Sequence, residues 1–441
     1  MTSVPPPPDR RRATLSHAWL LPATLLIATA CGGSPTPAPS SPSAMQPRSA
    51  PVSQSAKVPF RAVLFPYIPD SANDNFASLI SYLESGFEQA NPTVDLTVVI
   101  DSNMDLYDYA PGGTLSKLLG DGPGAAQVVE IDTLLMGTLV ESKWVQPVQL
   151  SNPGVFATAW QAATLAGVTY GVPTYMCSNV VYAFSSVITG AANATNLIAR
   201  LASIAPGVEP LVGQYKGSWT LPSFYVDAWA DSNGTAGMAE SFKLPLNQRT
   251  MSFFPSVVNS CVSGGKNPCL DGTYDAQQVA TLFATGKANG FIGYTESLYA
   301  IRSANPGAPL PTVISDPIGG GTHPTVFVDA LVFNPSCTGD CLPIAQAFAS
   351  YMSTVTVRST IAFSLDAPAG TLPRYLLQAS EPFYSAQPAA SDPMYQSYAP
   401  IARAAQAFPN TGFPQSRRDL NTALNAFFSG NTSTVAAQPA R

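Results

Sequence analysis

The stretch GVTYGVPTYMCSNVVYAF, residues 167–184, carries one cysteine, Cys177. The chain has six cysteines in all: Cys31, Cys177, Cys261, Cys269, Cys337 and Cys341. Cys261 and Cys269 bracket VSGGKNP, and Cys337 and Cys341 bracket TGD. Both are short, turn-rich loops suited to local disulfides in an oxidising compartment. Cys31 sits in the N-terminal export segment considered below, which leaves Cys177 without a partner. A thiol is mostly protonated at neutral pH, so it needs a nearby base to become a nucleophile. Histidine is scarce: His17 and His323 are the two in the chain. That excludes a Ser-His-Asp triad and a His-rich metal site, and leaves a Cys177–His323 pair as a minor alternative. A carboxylate is then the available base, because burial raises its pKa toward neutrality. Glu296, between Tyr294 and Tyr299 in a largely apolar stretch, is the candidate. The residues alone leave two plainer readings open: Cys177 as a buried structural thiol, and Glu296 as the cap of a helix beginning at TESLYAI.

Other chemistries find less support. GDGPG (120–124) and GGGTH (319–323) are glycine-rich but lack the spacing and following Lys and Ser or Thr of a phosphate loop, so they read as turns. The net charge of −6 argues against nucleic acid and is compatible with a small cationic ligand.

These side chains need elements to hold them. FRAVLFPYI (60–68), VDLTVVI (94–100) and AAQVVEI (125–131) are short apolar runs that read as strands. Between the first two, Phe76, Leu79, Ile80, Leu83 and Phe87 recur at helical spacing and Pro92 follows as a stop. Strand, helix, strand with apolar strands predicts a parallel sheet covered by helices. Residues 276–290 read as a helix closed by Lys-Ala-Asn-Gly and followed by the strand FIGYT; 324–335 read as another strand. Leu342, Ala345, Phe348 and Met352 mark one face of a later helix. In open α/β sheets, ligands bind beyond the carboxyl ends of the strands. Tyr67, Tyr107, Tyr109, Asp132 and Glu296 all stand at such ends, and Asp329 interrupts an apolar strand. Several separate segments therefore aim aromatic and acidic groups at one place.

The N-terminus gives the expected address. Residues 1–30 combine Arg10, Arg11 and Arg12 with an apolar run and small residues, the three-part order of a bacterial export signal. Ala28-Thr29-Ala30-Cys31 resembles a lipobox, which would make Cys31 an acylated anchor rather than part of a membrane span. Removing those thirty residues takes away three arginines and one aspartate and moves the net charge from −6 to −8. Residues 31–58 are rich in Pro, Ser and Ala and read as an extended tether. The remainder, about 380 residues, is long enough for two domains. An exported two-domain α/β chain with a lipid tether suggests the solute-binding type, in which two lobes close on a ligand.

From about Phe60 to Tyr384 the chain resembles thiaminase I. The matching pieces run in order: VLFPYIPD, VVEID, TYGVPTYMCSNVVYAF, SFYVDAWAD, NGFIGYTES, FVDALVFN and LPRYLL, with GYTES and the Pro-x-x-x-Cys-x-Asn segment the most specific. The resemblance implies an α/β, two-lobed periplasmic-binding-protein type II fold with its active site in the inter-lobe cleft. The expected lobes are 59–171 plus 297–333 and 172–296 plus 334–441. It implies that the enzyme transfers the aminopyrimidinylmethyl group of thiamin from the thiazole to a small amine or thiol, with no metal or organic cofactor. Cys177 would be the nucleophile and Glu296 its base. Tyr67, Tyr107, Tyr225 and Tyr294 would offer faces to the thiazolium cation, while Asp132 and Asp329, with Asp227 more loosely, would bind the substrate. The four loop cysteines and the lipobox are departures from the family. A monomer is expected. The rival reading is a non-catalytic solute-binding lipoprotein that captures thiamin or a relative, and a structural envelope protein ranks last.

Overall fold

A computed structural model describes residues 56–150, 154–320 and 323–435. The export segment, Cys31 and nearly all of the tether lie outside the described residues. Thirteen strands among the described residues, numbered in chain order, organise the fold. They are β1 Val58–Val63, β2 Val94–Val99, β3 Val128–Asp132, β4 Thr164–Leu165, β5 Val168–Thr169, β6 Gly171–Cys177, β7 Asn179–Ala183, β8 Val212–Gly213, β9 Phe291–Tyr294, β10 Thr312–Ser315, β11 Thr325–Phe333, β12 Leu377–Gln378 and β13 Gln406–Ala407. One sheet runs β12-β6-β11-β3-β1-β2, with β13 also on β11; a second runs β10-β7-β9-β8; β4 and β5 form a small hairpin.

The expected parallel sheet is in fact mixed. β1 pairs in parallel with β2 and β3, as the intervening helical segments require. β11, however, runs antiparallel to β3 and β6. The reason lies in how the chain leaves β6 and arrives at β11. A single residue, Ser178, separates β6 in the first sheet from β7 in the second, and the chain returns from β10 to β11 after Ser315.

These exchanges also alter the expected division of the chain. β6, from the border of the two expected parts, belongs to the larger sheet. β10, expected with β11, pairs antiparallel with β7 in the smaller one. β12 and β13, expected in the second part, add to β6 and β11.

Burial follows the sequence pattern. β2 alternates buried and exposed residues, whereas all nine residues of β11 are buried, in keeping with a run that is apolar save for Thr325 and Asp329. The helix Ala77–Ala90 buries Leu79, Leu83 and Phe87 and ends at Asn91, before Pro92. It joins the helix Cys341–Met352 over the large sheet, where Phe348 meets Phe60 and Phe87 with ring centroids 6.0 and 5.5 Å apart. The helix expected over 276–290 is shorter, Ala276–Ala284. Gly286 takes a left-handed φ of 72° and stops it; Asn289 instead donates to the carbonyls of Leu201 and Ala205.

Both expected disulfides are formed, Cys261–Cys269 and Cys337–Cys341, and Cys177 is a free thiol. Among the described residues no helix is long and apolar enough to cross a membrane.

Candidate active site

Strand register brings the thiol and the carboxylate together. β7 and β9 are antiparallel, with Asn179 opposite Tyr294. Carried two residues further, that register sets Cys177 opposite Glu296. The Cys177 thiol donates to Glu296 Oε1 across 3.6 Å, within reach for a sulfur donor. Glu296 is the residue before the helix Ser297–Ala304, yet its side chain makes no capping hydrogen bond. Its other oxygen accepts from the Thr295 hydroxyl at 3.3 Å.

The pair lines a cavity of about 350 Å³. Tyr67, Tyr107, Asp132, Tyr294 and Asp329 line it as well. Asp132 ends β3 and stands opposite Asp329 in the antiparallel β3–β11 pairing. At Asp329 the β6–β11 register shifts, and the Thr174 hydroxyl donates to the Asp329 carbonyl at 3.0 Å. Such a bulge re-aims a side chain, which accounts for a carboxyl reaching the cavity from an otherwise apolar strand.

The electrostatics suit a cation. Burial raises Asp132 to about 7, against the pull of hydrogen bonds from Leu134 N and the Tyr107 hydroxyl, each 3.0 Å long. Burial, and then the charges of Asp132, Glu130 and Glu296, lift Asp329 well above the carboxylate range. Glu296 is raised by burial too. None of the ion pairs among the described residues neutralises these groups. The Cys177 thiol is pushed well up by burial, then by Glu296, Asp329 and Asp132, so at rest it keeps its proton. Around the acids stands an aromatic wall: Tyr67 meets Tyr107 at 5.6 Å, and Tyr107 meets Trp219 at 4.9 Å. Tyr67 is 46% exposed and marks the solvent side.

Two of the expected site residues, Tyr225 and Asp227, lie off the cavity. Tyr225 is fully buried away from the cavity, where its oxygen accepts from Asn247 N at 2.7 Å. It lies two residues beyond the cavity-lining Ser223 on the helix Thr220–Asn233, so it turns to another face. Asp227 is buried one turn beyond Ser223 and does not line the cavity; it accepts from Asn179 Nδ2 at 3.0 Å and Thr325 Oγ1 at 2.7 Å. Of Tyr107 and Tyr109, Tyr107 enters the cavity, while the Tyr109 hydroxyl donates to the Pro414 carbonyl at 3.2 Å. His323 does not line the cavity either; its backbone N–H donates to Asp231 at 2.7 Å.

The sequence reading missed Phe65, Tyr175, Trp219, Phe327 and Phe413, all of which line the cavity. Phe65 precedes Tyr67 by two and Phe327 precedes Asp329 by two, a spacing that places strand residues on one face. Phe413 is remote in sequence, and no local pattern marks it.

No family model matches the chain. Thiaminase-1 of Paenibacillus thiaminolyticus is 24% identical over 365 residues, covering 75% of this chain and 78% of that protein. The structure of thiaminase I from Bacillus thiaminolyticus superposes with a TM-score of 0.66 at 22% identity, over 84% of this chain and 99% of that one. Clostridium botulinum thiaminase I in complex with thiamin gives 0.65 at 18% identity, again over 84% and 99%. The GacH receptor of Streptomyces glaucescens gives 0.62 at 16% identity, over 86% of this chain and 95% of that one. The chain is thus similar to thiaminase I in sequence and in fold, and its α/β architecture resembles that of periplasmic binding proteins.

Proposed function

We propose that this protein is a thiamine pyridinylase, an enzyme that cleaves thiamin by exchanging its thiazole for an external amine or thiol. The observation that carries the reading is the free Cys177 thiol 3.6 Å from the half-buried Glu296 carboxyl, within an acidic, aromatic cavity of a chain similar to thiaminase I. In this reading the two sheets form two lobes, exchanging strands at the crossovers described above, and the cavity is the cleft between them. The thiazolium is a cation, which the faces of Tyr67, Tyr107 and Tyr294 attract once water is excluded. Asp132 and Asp329 hold the aminopyrimidine by hydrogen bonds.

Glu296 takes the thiol proton, and the Cys177 sulfur bonds to the pyrimidine carbon beside the one bearing the bridge. The electron pair moves through the ring, breaks the bond from the methylene to the thiazolium nitrogen, and the thiazole leaves neutral. The incoming nucleophile loses a proton as it bonds to the methylene. The carbon–sulfur bond then breaks with its electron pair on sulfur, restoring the aromatic ring; Cys177 recovers its proton from Glu296, and the nucleophile's proton passes to solvent. No cofactor is called for. The protein is expected to be exported, anchored through Cys31 and monomeric.

The test is turnover by residues 32–441. Thiamin loss and thiazole release with 2-mercaptoethanol are followed for the wild type, Cys177→Ala and Glu296→Gln. Release by the wild type and its loss in Cys177→Ala support the reading. Tight binding with thiamin returned intact would assign the protein instead to solute capture, the function of the binding proteins that share its fold.

A further inference from the structure

A second cavity, of about 580 Å³, lies beside the first, and Tyr107 lines both. Its lining includes Tyr109, Trp144, Arg417 and Arg418. The partition between the two is aromatic and cationic. The Arg417 guanidinium carbon sits 3.7 Å from the centroid of the Trp219 ring, and Trp219 lines the catalytic cavity.

Arg417 is an unusual residue to find there. It is 7% exposed. One terminal nitrogen donates to the Ser218 hydroxyl, but its buried Nε has no hydrogen-bond partner among the described residues. No carboxylate forms an ion pair with Arg417 or Arg418 among those residues. Asp108 lines this cavity too, but its carboxyl is engaged by backbone, accepting from Thr114 N at 3.0 Å, and the nearby Asp105 accepts from Tyr107 N at 2.8 Å. A buried charge without a counterion is costly, and a guanidinium fork with free N–H groups is the usual partner of planar or tetrahedral oxyanions. The basic pair therefore contrasts with the acidic cavity next door.

We propose that the second cavity binds an oxyanion (phosphate, carboxylate or sulfonate) carried by a reactant seated in the catalytic cavity, with Arg417 and Arg418 as its ligands. The inference rests on the function proposed above. Two sources share this chemistry: a phosphate ester on the hydroxyethyl arm of the thiazolium, and an acid group on the incoming nucleophile.

The experiment crosses thiamin and thiamin monophosphate with 2-mercaptoethanol and 3-mercaptopropionate. It uses wild type, Arg417→Gln, Arg417→Lys and Arg418→Glu. Arg418 is exposed, so its variant keeps the test sound if Arg417→Gln unfolds. The expected result is a fall of at least about tenfold in the ratio of kcat/KM for the anionic over the neutral reactant. This fall should appear in Arg417→Gln and Arg418→Glu, with partial rescue by Arg417→Lys. A fall in the ester arm assigns the anion to thiamin phosphate; a fall in the thiol arm assigns it to the nucleophile. Ratios unchanged in both arms for folded variants overturn the proposal. Calorimetric titration with inorganic phosphate, expected to show binding by wild type and its loss in Arg418→Glu, tests the anion site even if no thiamin is cleaved. Failure of the proposed function and failure of this site are therefore separable.

Discussion

Replacing Glu296 by glutamine preserves side-chain size and removes the proton acceptor 3.6 Å from the Cys177 sulfur. Two unit negative charges at 3.6 Å repel by about 5 kcal/mol at an effective dielectric of about 20. A thiolate facing an ionised Glu296 is therefore strongly disfavoured, consistent with the raised pKa of the thiol. The accessible nucleophile is the one whose proton has moved to Glu296, leaving a thiolate beside a neutral acid. Glutamine offers no such acceptor. A positioned general base contributes roughly 10²–10⁴ in rate, about 3–5 kcal/mol of barrier, so kcat/KM of Glu296→Gln is expected to fall by that factor. The assay is thiazole release from thiamin with 2-mercaptoethanol, accompanied by the pH dependence of Cys177 alkylation by iodoacetamide. The wild type should alkylate at neutral pH through the proton-transferred pair, whereas the variant should follow a single thiol titration. A Glu296→Gln protein retaining more than about a tenth of wild-type kcat/KM would refute the assignment of the base.

Asp227→Ala leaves Asn179 Nδ2 and the Thr325 hydroxyl without their buried acceptor. It should cost about 1–3 kcal/mol in a denaturant titration, with Asp227→Asn milder. Opening the Cys261–Cys269 bridge, which spans a sequence separation of 8, should cost about 2.5 kcal/mol on the chain-entropy account, measured as a lowered midpoint of unfolding. Stability should also fall as pH rises. Asp132 and Asp231 titrate at about 7 and Asp227 at about 6 in the folded chain, against about 3.9 when unfolded. Between about pH 4 and 7 the native state therefore holds protons that the unfolded state has lost, at about 1.4 kcal/mol per pH unit for each extra proton. The melting temperature should decline from about pH 4.5 to 7.5 across that window, and a rise would contradict the assignment.

Much of the site was legible because local pattern and chemistry coincide. Cys177 stood out once the loop cysteines paired off, and the apolar runs before Asp132 and around Asp329 marked strands whose polar residues needed a reason. Glu296 was legible as a candidate, but its position opposite Cys177 depends on the β7–β9 register, which no local window contains. The mixed sheet was not legible because β11 acquires its direction by arriving from β10 in the other sheet, between β3 and β6, to both of which it runs antiparallel. Tyr225 and Asp227 misled for a related reason. Their motif resembles the family's, but the helix Thr220–Asn233 is buried along almost its whole length, so periodicity could not tell its cavity face from its core face. Phe413 and Arg417, on a helix some two hundred residues beyond Trp219, reach the site only through tertiary packing.

The central claim is a covalent adduct on Cys177. The most direct measurement is to mix the protein with thiamin and no acceptor, quench in acid, and map the peptide containing Cys177 by mass spectrometry while quantifying free thiazole. This peptide is expected to gain the aminopyrimidinylmethyl group, in step with thiazole release, and 2-mercaptoethanol added before the quench is expected to discharge it. An unmodified Cys177 peptide, with thiamin recovered intact, would contradict it.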